Sequence, residues 1–178
     1  MLYAFGFEKI GVVLSDLYFV DPSPKEGQEG PEQGVRLEVR LVEARPLVGS
    51  IYSATPIGIE EPIWRADLLE SVDNPGSFDR AHHHPRFRGW EPSSRHFVDE
   101  MTADPIGWVG KRLEDLETLL VEAKVDPSQV GENDSADLRA AVPEIVATMT
   151  RVIDRVRAGE LARPPAEPTP DGARLSWL

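Results

Sequence analysis

Between Val35 and Glu43 apolar and charged residues alternate, with Val35, Leu37, Val39 and Leu41 set against Arg36, Glu38 and Arg40. A period of two sends these sets to opposite faces of a strand. One face then packs on a core and the other meets water, an arrangement that antiparallel sheets tolerate. An earlier apolar stretch, Val12 to Val20, predicts a strand that stops at Asp21-Pro22. A third strand is expected over Ser50 to Thr55, and a further one within Ile57 to Val72, where Pro62 marks a bend or an edge position. The span Asp21 to Gly34, rich in Pro, Gly and Glu, predicts a long solvated loop, and Asp73-Asn74-Pro75-Gly76 a turn.

After Asp104 the period changes. Asp104-Pro105 suits a helix cap followed by proline in the first turn. Ile106, Val109, Leu113, Leu116, Leu120 and Ala123 then recur at helical spacing, ending before Asp126-Pro127. Ser135 can cap a second helix, whose stripe is Leu138, Val142, Ile145, Met149, Val152 and Val156. Pro143 lies inside it and predicts a kink, or a start after one short turn. Gly159 suits the C-terminal cap. Stripes of this length read as core rather than as a seam to a second chain. The predicted fold class is α+β: a mostly antiparallel sheet of about four strands in the N-terminal half, followed by two amphipathic helices packing on one face. Residues 1–160 form the expected single domain. Residues 161–178 form a Pro-rich tail with an apolar end, Arg174 to Leu178, that either docks on the body or a partner or frays.

Charge and composition narrow the function classes. The chain has 178 residues, a net charge of −12 and no cysteine, which excludes disulfides, thiolate metal sites and a cysteine nucleophile. Glu8, Lys9 and Asp16 interrupt the N-terminal apolar residues, unlike a secretory signal, and no run approaches the roughly 18 apolar residues of a membrane span. A soluble, cytoplasmic protein is expected, with no membrane partner. The acidity disfavours nonspecific nucleic-acid binding and favours a basic protein partner.

One segment departs from this charge pattern. From Arg80 to His96, four arginines (Arg80, Arg86, Arg88 and Arg95) stand against Glu91, so the segment is locally +3 and the rest of the chain −15. It also holds all four histidines: His82, His83, His84 and His96. Three readings stay open. In an extended chain His82 and His84 point to one side and could share a zinc ion, with His96, Asp67 or Asp79 completing the set. Alternatively, one neutral and one protonated histidine could move protons at a phosphodiester while arginines hold the phosphate, with Phe78, Phe87, Trp90 and Phe97 as stacking faces. Or the histidines and aromatics simply pin a surface loop.

The amphipathic strands, Ile63-Trp64-Arg65-Ala66-Asp67, Asp73-Asn74, the His-His-His-Pro run and a following helix together resemble the TumE-type toxins of bacterial toxin–antitoxin pairs, over roughly residues 35–120. The resemblance implies an RNA-directed activity, an antitoxin partner, and a focus on Arg65, Asp67, His82, His83 and His84. The chain departs from that pattern in its longer loop at Asp21 to Gly34, its second long helix, its Pro-rich tail and its acidity, features that suit an interaction role.

Two expectations follow. The first is a small RNA-directed, toxin-like hydrolase using His82, His84 or His96 as acid and base, with Asp67 orienting a histidine and Arg86, Arg88 and Arg95 stabilising phosphate. It needs no metal, although zinc through His82 and His84 is an available cofactor. The second is a non-catalytic acidic interaction protein: an antitoxin, immunity or adaptor module. Oligomeric state is open in both.

Overall fold

The computed structural model describes residues 1–164; the expectations for the end of the tail, Arg174 to Leu178 included, lie outside the described residues. The chain begins with an antiparallel meander. Strands β1 (Leu2–Gly6), β2 (Ile10–Val20), β3 (Pro31–Ala44), β4 (Ile57–Ser71) and β5 (His82–His84) pair in sequence order. A two-stranded ribbon follows, β6 (Phe87–Arg88) with β7 (Glu91–Pro92). Then come α1 (Asp99–Ala103), α2 (Pro105–Glu114), α3 (Leu116–Ala123) and α4 (Asp134–Arg157).

The α+β class, the antiparallel sheet and the helices after it agree with the alternation read from the sequence. Several elements differ. Ser50 to Thr55 forms no strand; it lies in the turn region between β3 and β4, where backbone bonds close locally, as from Ser53 N to Ser50 O. The sheet reaches five strands through β1, a short edge on β2, and through β5. The loop after β2 is shorter than expected because β3 starts at Pro31. The first helical stripe is split at Asp115, whose backbone leaves helical geometry and whose carboxylate accepts from Thr118 N to cap α3. The N-cap position of α4 is Asn133, while the Ser135 hydroxyl donates to Glu117. Pro143 does not interrupt α4, since it sits on the exposed side where the carbonyl it frees can meet water. Gly159, just past the helix, takes the left-handed conformation expected of it (φ 71°).

The helices cover one face of the sheet. Val12 and Leu14 of β2, Val35, Leu37 and Val39 of β3, and Trp64, Ala66 and Leu68 of β4 pack against Val109, Leu113, Leu116, Leu138, Val142, Ile145 and Met149. Pleating therefore sends the intervening residues Arg36, Glu38, Arg65 and Asp67 to the other face. That face is not simply solvated: Glu38 and Asp67 are buried. Arg80, hydrogen-bonded to the carbonyls of Gly27 and Glu29, and Arg95, bonded to Glu32 and Gln28, tie the loop after β2 to the histidine segment over it.

Candidate functional site

Register alone assembles the site. Asp67 of β4 lies opposite Arg36 of β3 and His82 of β5, while Arg65 lies opposite Glu38 and His84. Two neighbouring rungs of the sheet, Arg36–Asp67–His82 and Glu38–Arg65–His84, thus set opposite charges and two imidazoles side by side.

Asp67 is the centre. Its Oδ1 accepts from Arg36 Nε at 2.7 Å, and Arg65 Nε lies 3.2 Å from its Oδ2. His82 Nε2 and His84 Nε2 reach the same Oδ2 at 3.3 and 3.4 Å. The two rings meet edge to face with centroids 5.0 Å apart. Their other nitrogens are occupied: His82 Nδ1 lies 2.7 Å from the Arg80 carbonyl and His84 Nδ1 2.5 Å from that of Ser93. A carbonyl only accepts, so each Nδ1 carries the hydrogen and donates it. A neutral ring then presents an Nε2 lone pair to the carboxylate, and a protonated ring donates Nε2–H to it. His84 Nε2 is buried without a hydrogen-bond partner.

The charges here are tightly coupled. Burial opposes ionisation of Asp67, but Arg36 and Arg65 outweigh it, and with the two histidines they hold its carboxyl well below the usual range. Burial lowers Arg65, helped by the charges of Arg36 and Arg95, although Asp67 pulls the other way. Burial also lowers His84, with Arg65 adding to it against the pull of Asp67. Arg95 completes the ring of cations. It pairs with Glu32 at 2.8 Å, approaches Asp21 at 3.8 Å and stacks over Phe19. Four carboxylates (Asp21, Glu32, Glu38, Asp67) thus face four guanidiniums (Arg36, Arg40, Arg65, Arg95), and the set is neutral. A cavity of ≈ 260 Å³ opens over it, lined by Phe19, Asp21, Arg36, Arg65, Asp67, Leu69, His82, His84 and Arg95.

Of the residues singled out in the sequence, Asp67, His82, His84 and Arg95 come together. His96 does not: it bridges His83 through the backbone, its ring 5.6 Å from that of His83, which points to the helix side. There His83 packs on Trp108 at 5.0 Å and Trp64 at 6.2 Å. Arg86 and Arg88 are exposed and line a separate depression with Phe87, Glu91, Pro92 and Ser93. Asp79 is engaged elsewhere, accepting from Ser71 and Ser77. Arg36 joins the site unforeseen, and Arg65 was marked by the family resemblance alone. Both sit on the charged side of an alternating or mixed strand, and only the β3–β4 register reveals that they face Asp67.

Asp67, His82 and His84 could hold a metal ion, their ligand atoms all lying within 4.8 Å of one another. A tetrahedral ion with ligands at roughly 2.0–2.1 Å separates those ligands by roughly 3.3–3.4 Å. The Asp67–His82 and Asp67–His84 separations of 3.3 and 3.4 Å match that edge. The Nδ1 bonds to backbone carbonyls are the outer support that fixes ligating imidazoles in the correct tautomer. No family model, curated protein or solved structure matches the chain.

Proposed function

We propose that the protein is a metal-assisted phosphodiester hydrolase directed at RNA, with a divalent ion, zinc in the first instance, held by Asp67, His82 and His84. The observation that carries this reading is the pair of Nε2 atoms that approach one carboxylate oxygen at 3.3 and 3.4 Å beside a ring of guanidiniums. Nδ1 of each ring is committed to a backbone carbonyl and Nε2 faces Asp67, so the imidazoles serve as ligands rather than as proton carriers. His96 has no part in the chemistry, and Arg36, Arg65 and Arg95 replace Arg86 and Arg88 as phosphate-binding groups.

The charge balance supports a phosphate ester. The set is neutral without an ion, so a dication adds two positive charges. A hydroxide from ionised water and one phosphodiester anion cancel them. An ion held by Asp67, His82 and His84 would supply the Lewis acidity that makes such a water easier to ionise. In hydrolysis a water oxygen would bond to phosphorus as the bond from phosphorus to the leaving ribose oxygen breaks, the water's proton passing to that oxygen. Arg36, Arg65 and Arg95 neutralise the charge that builds on the phosphoryl oxygens. RNA as the substrate class follows the resemblance to TumE-type toxins.

The test is cleavage of a labelled single-stranded RNA by full-length protein with chelator, after zinc or manganese is restored, and by the His82→Ala/His84→Ala variant. Cleavage that needs the ion and falls at least about a hundredfold in the variant is expected. Cleavage indifferent to chelator, or equal in both proteins, overturns the assignment.

A second reading has its own support. Between β3 and β4 the chain exposes Val48 (76%), Ile51 (84%) and Tyr52 (91%), apolar side chains left uncovered by the described residues. They suit a docking arm for a protein partner, as an antitoxin, immunity or adaptor role would require. Loss of a co-purifying partner on Val48→Asp/Ile51→Asp substitution would support that role; an unchanged complex would exclude this arm.

A further inference from the structure

Arg36 borders more than the cavity over the histidines. Arg36 also lines a second cavity of ≈ 320 Å³ on the same face, with Leu2, Val13, Ser15, Glu38, Arg40 and Ile59. One guanidinium is therefore a wall of both. Three of the second cavity's residues, Leu2, Val13 and Ile59, offer apolar walls, and Leu2 and Ile59 are exposed there (55% and 43%).

The polar rim is rigid. Arg40 is fixed in plane by Glu38 Oε2 at 2.6 Å and by a hydrogen bond to the Glu60 carbonyl at 3.0 Å, and it lies 5.4 Å from the Trp90 ring centroid. Trp90 is itself 60% exposed. An apolar slot edged by an immobilised guanidinium plane and a carboxylate suits a flat, partly polar heterocycle better than an aliphatic chain. Arg36, the residue shared with the histidine cavity, sets that heterocycle beside a phosphate.

We infer that the cavity formed by Leu2, Val13, Ile59, Glu38 and Arg40 is the nucleobase subsite of a nucleotide substrate whose phosphate lies against Arg36, Arg65 and Arg95. This deepens the phosphodiester reading and rests on it. Arg36 stands between the subsites: Asp67 holds its Nε and one terminal nitrogen, and the residue lines both cavities.

The experiment titrates zinc-loaded full-length protein calorimetrically with inorganic phosphate and with cytidine monophosphate. Wild type should bind the nucleotide at least about tenfold more tightly than phosphate, the gain from burying one base against the apolar walls and the Arg40 plane. Ile59→Asp should erase that advantage and leave phosphate affinity unchanged, with Ile59→Ser reducing it in a milder background. Cobalt absorption spectra report whether the ion site survives in each variant. Equal affinities in wild type, or an advantage that persists in Ile59→Asp, overturn the base subsite while leaving the phosphate site standing. Failure of wild type to bind phosphate at all overturns both.

Discussion

Asp67 Oδ2 and His82 Nε2 stand 3.3 Å apart across the β4–β5 pairing, both almost fully buried, with Arg36 and Arg65 closing on the same carboxylate. This carboxylate carries two arginines as well as two imidazoles. Asp67→Asn keeps the shape and removes the charge, leaving both guanidiniums without their central counter-ion. Loss of one partner from a buried pair costs about 3–5 kcal/mol, so the variant should be destabilised by that order even with chelator present. Urea unfolding checks this; a change below about 1 kcal/mol would mean that Arg36 and Arg65 find water or Glu38 instead.

The same rungs depend on a close strand approach at Gly34. A Cβ there would lie 2.1 Å from the Leu68 carbonyl oxygen, a backbone atom that cannot swing aside, and φ is +152°. Gly34 pairs with Leu69, which lines the histidine cavity. Gly34→Ala should therefore cost about 3 kcal/mol or more, because β3 and β4 must part next to the site. It should also lower ion affinity, measured by competition with a chromophoric chelator. Normal stability and affinity would show that the strands separate there without strain.

Much of this frame was legible in the sequence because one residue set carried one period. Val35 to Leu41 announced a strand, and the stripes from Ile106 and Leu138 announced helices; all three pack in the core. Ser50 to Thr55 was misread because it holds β-favouring residues, Ile51, Tyr52 and Thr55, whose burial never comes. The pairing of His82 with His84 followed from parity, and so did the separate side of His83. His96 was misplaced because its parity is set by pairing with His83, which the sequence does not display. Arg36 was hidden for a related reason. On an amphipathic strand a charged residue reads as solvated, and only long-range register shows that it faces a buried carboxylate.

His83 predicts a pH dependence on the helix side of the sheet. Its ring meets Trp64, Trp108 and His96, with Arg112 nearby; burial and then the charge of Arg112 lower its pKa to about 4. The folded state then holds fewer protons than the unfolded chain between the ordinary value near 6.5 and that of the folded protein. This contribution is fully present above about pH 6.5 and is lost as pH falls toward 4. Its ceiling is about 3 kcal/mol, since each tenfold in proton affinity is worth about 1.4 kcal/mol. His84, also depressed by burial, adds a slope of the same sign. The relevant comparison is thus wild type against His83→Phe in chelator, by urea unfolding at several pH values. The variant should show a visibly flatter profile, and parallel profiles would assign the slope elsewhere.

Ion binding should be readable from stability without any substrate. A ligand that binds only the folded state adds about 2.7 kcal/mol at a hundred times its Kd. For a chain of this size each kcal/mol moves Tm by about 2–4 °C, so zinc should raise Tm by about 5–11 °C over chelated protein. The ligand set divides the effect in an informative way. In His84→Ala the ion loses one donor and the apo protein loses a buried ring and its bond to the Ser93 carbonyl but no counter-ion of the arginines, so the apo Tm should fall less than in Asp67→Asn while the zinc shift collapses. Asp67→Asn, by contrast, should lower the apo Tm and remove the zinc shift together, because that carboxylate serves the arginines and the ion at once. Thermal scans of the three proteins, with and without zinc, separate these patterns. A zinc shift that persists in His84→Ala would place the ion away from the two imidazoles and the carboxylate.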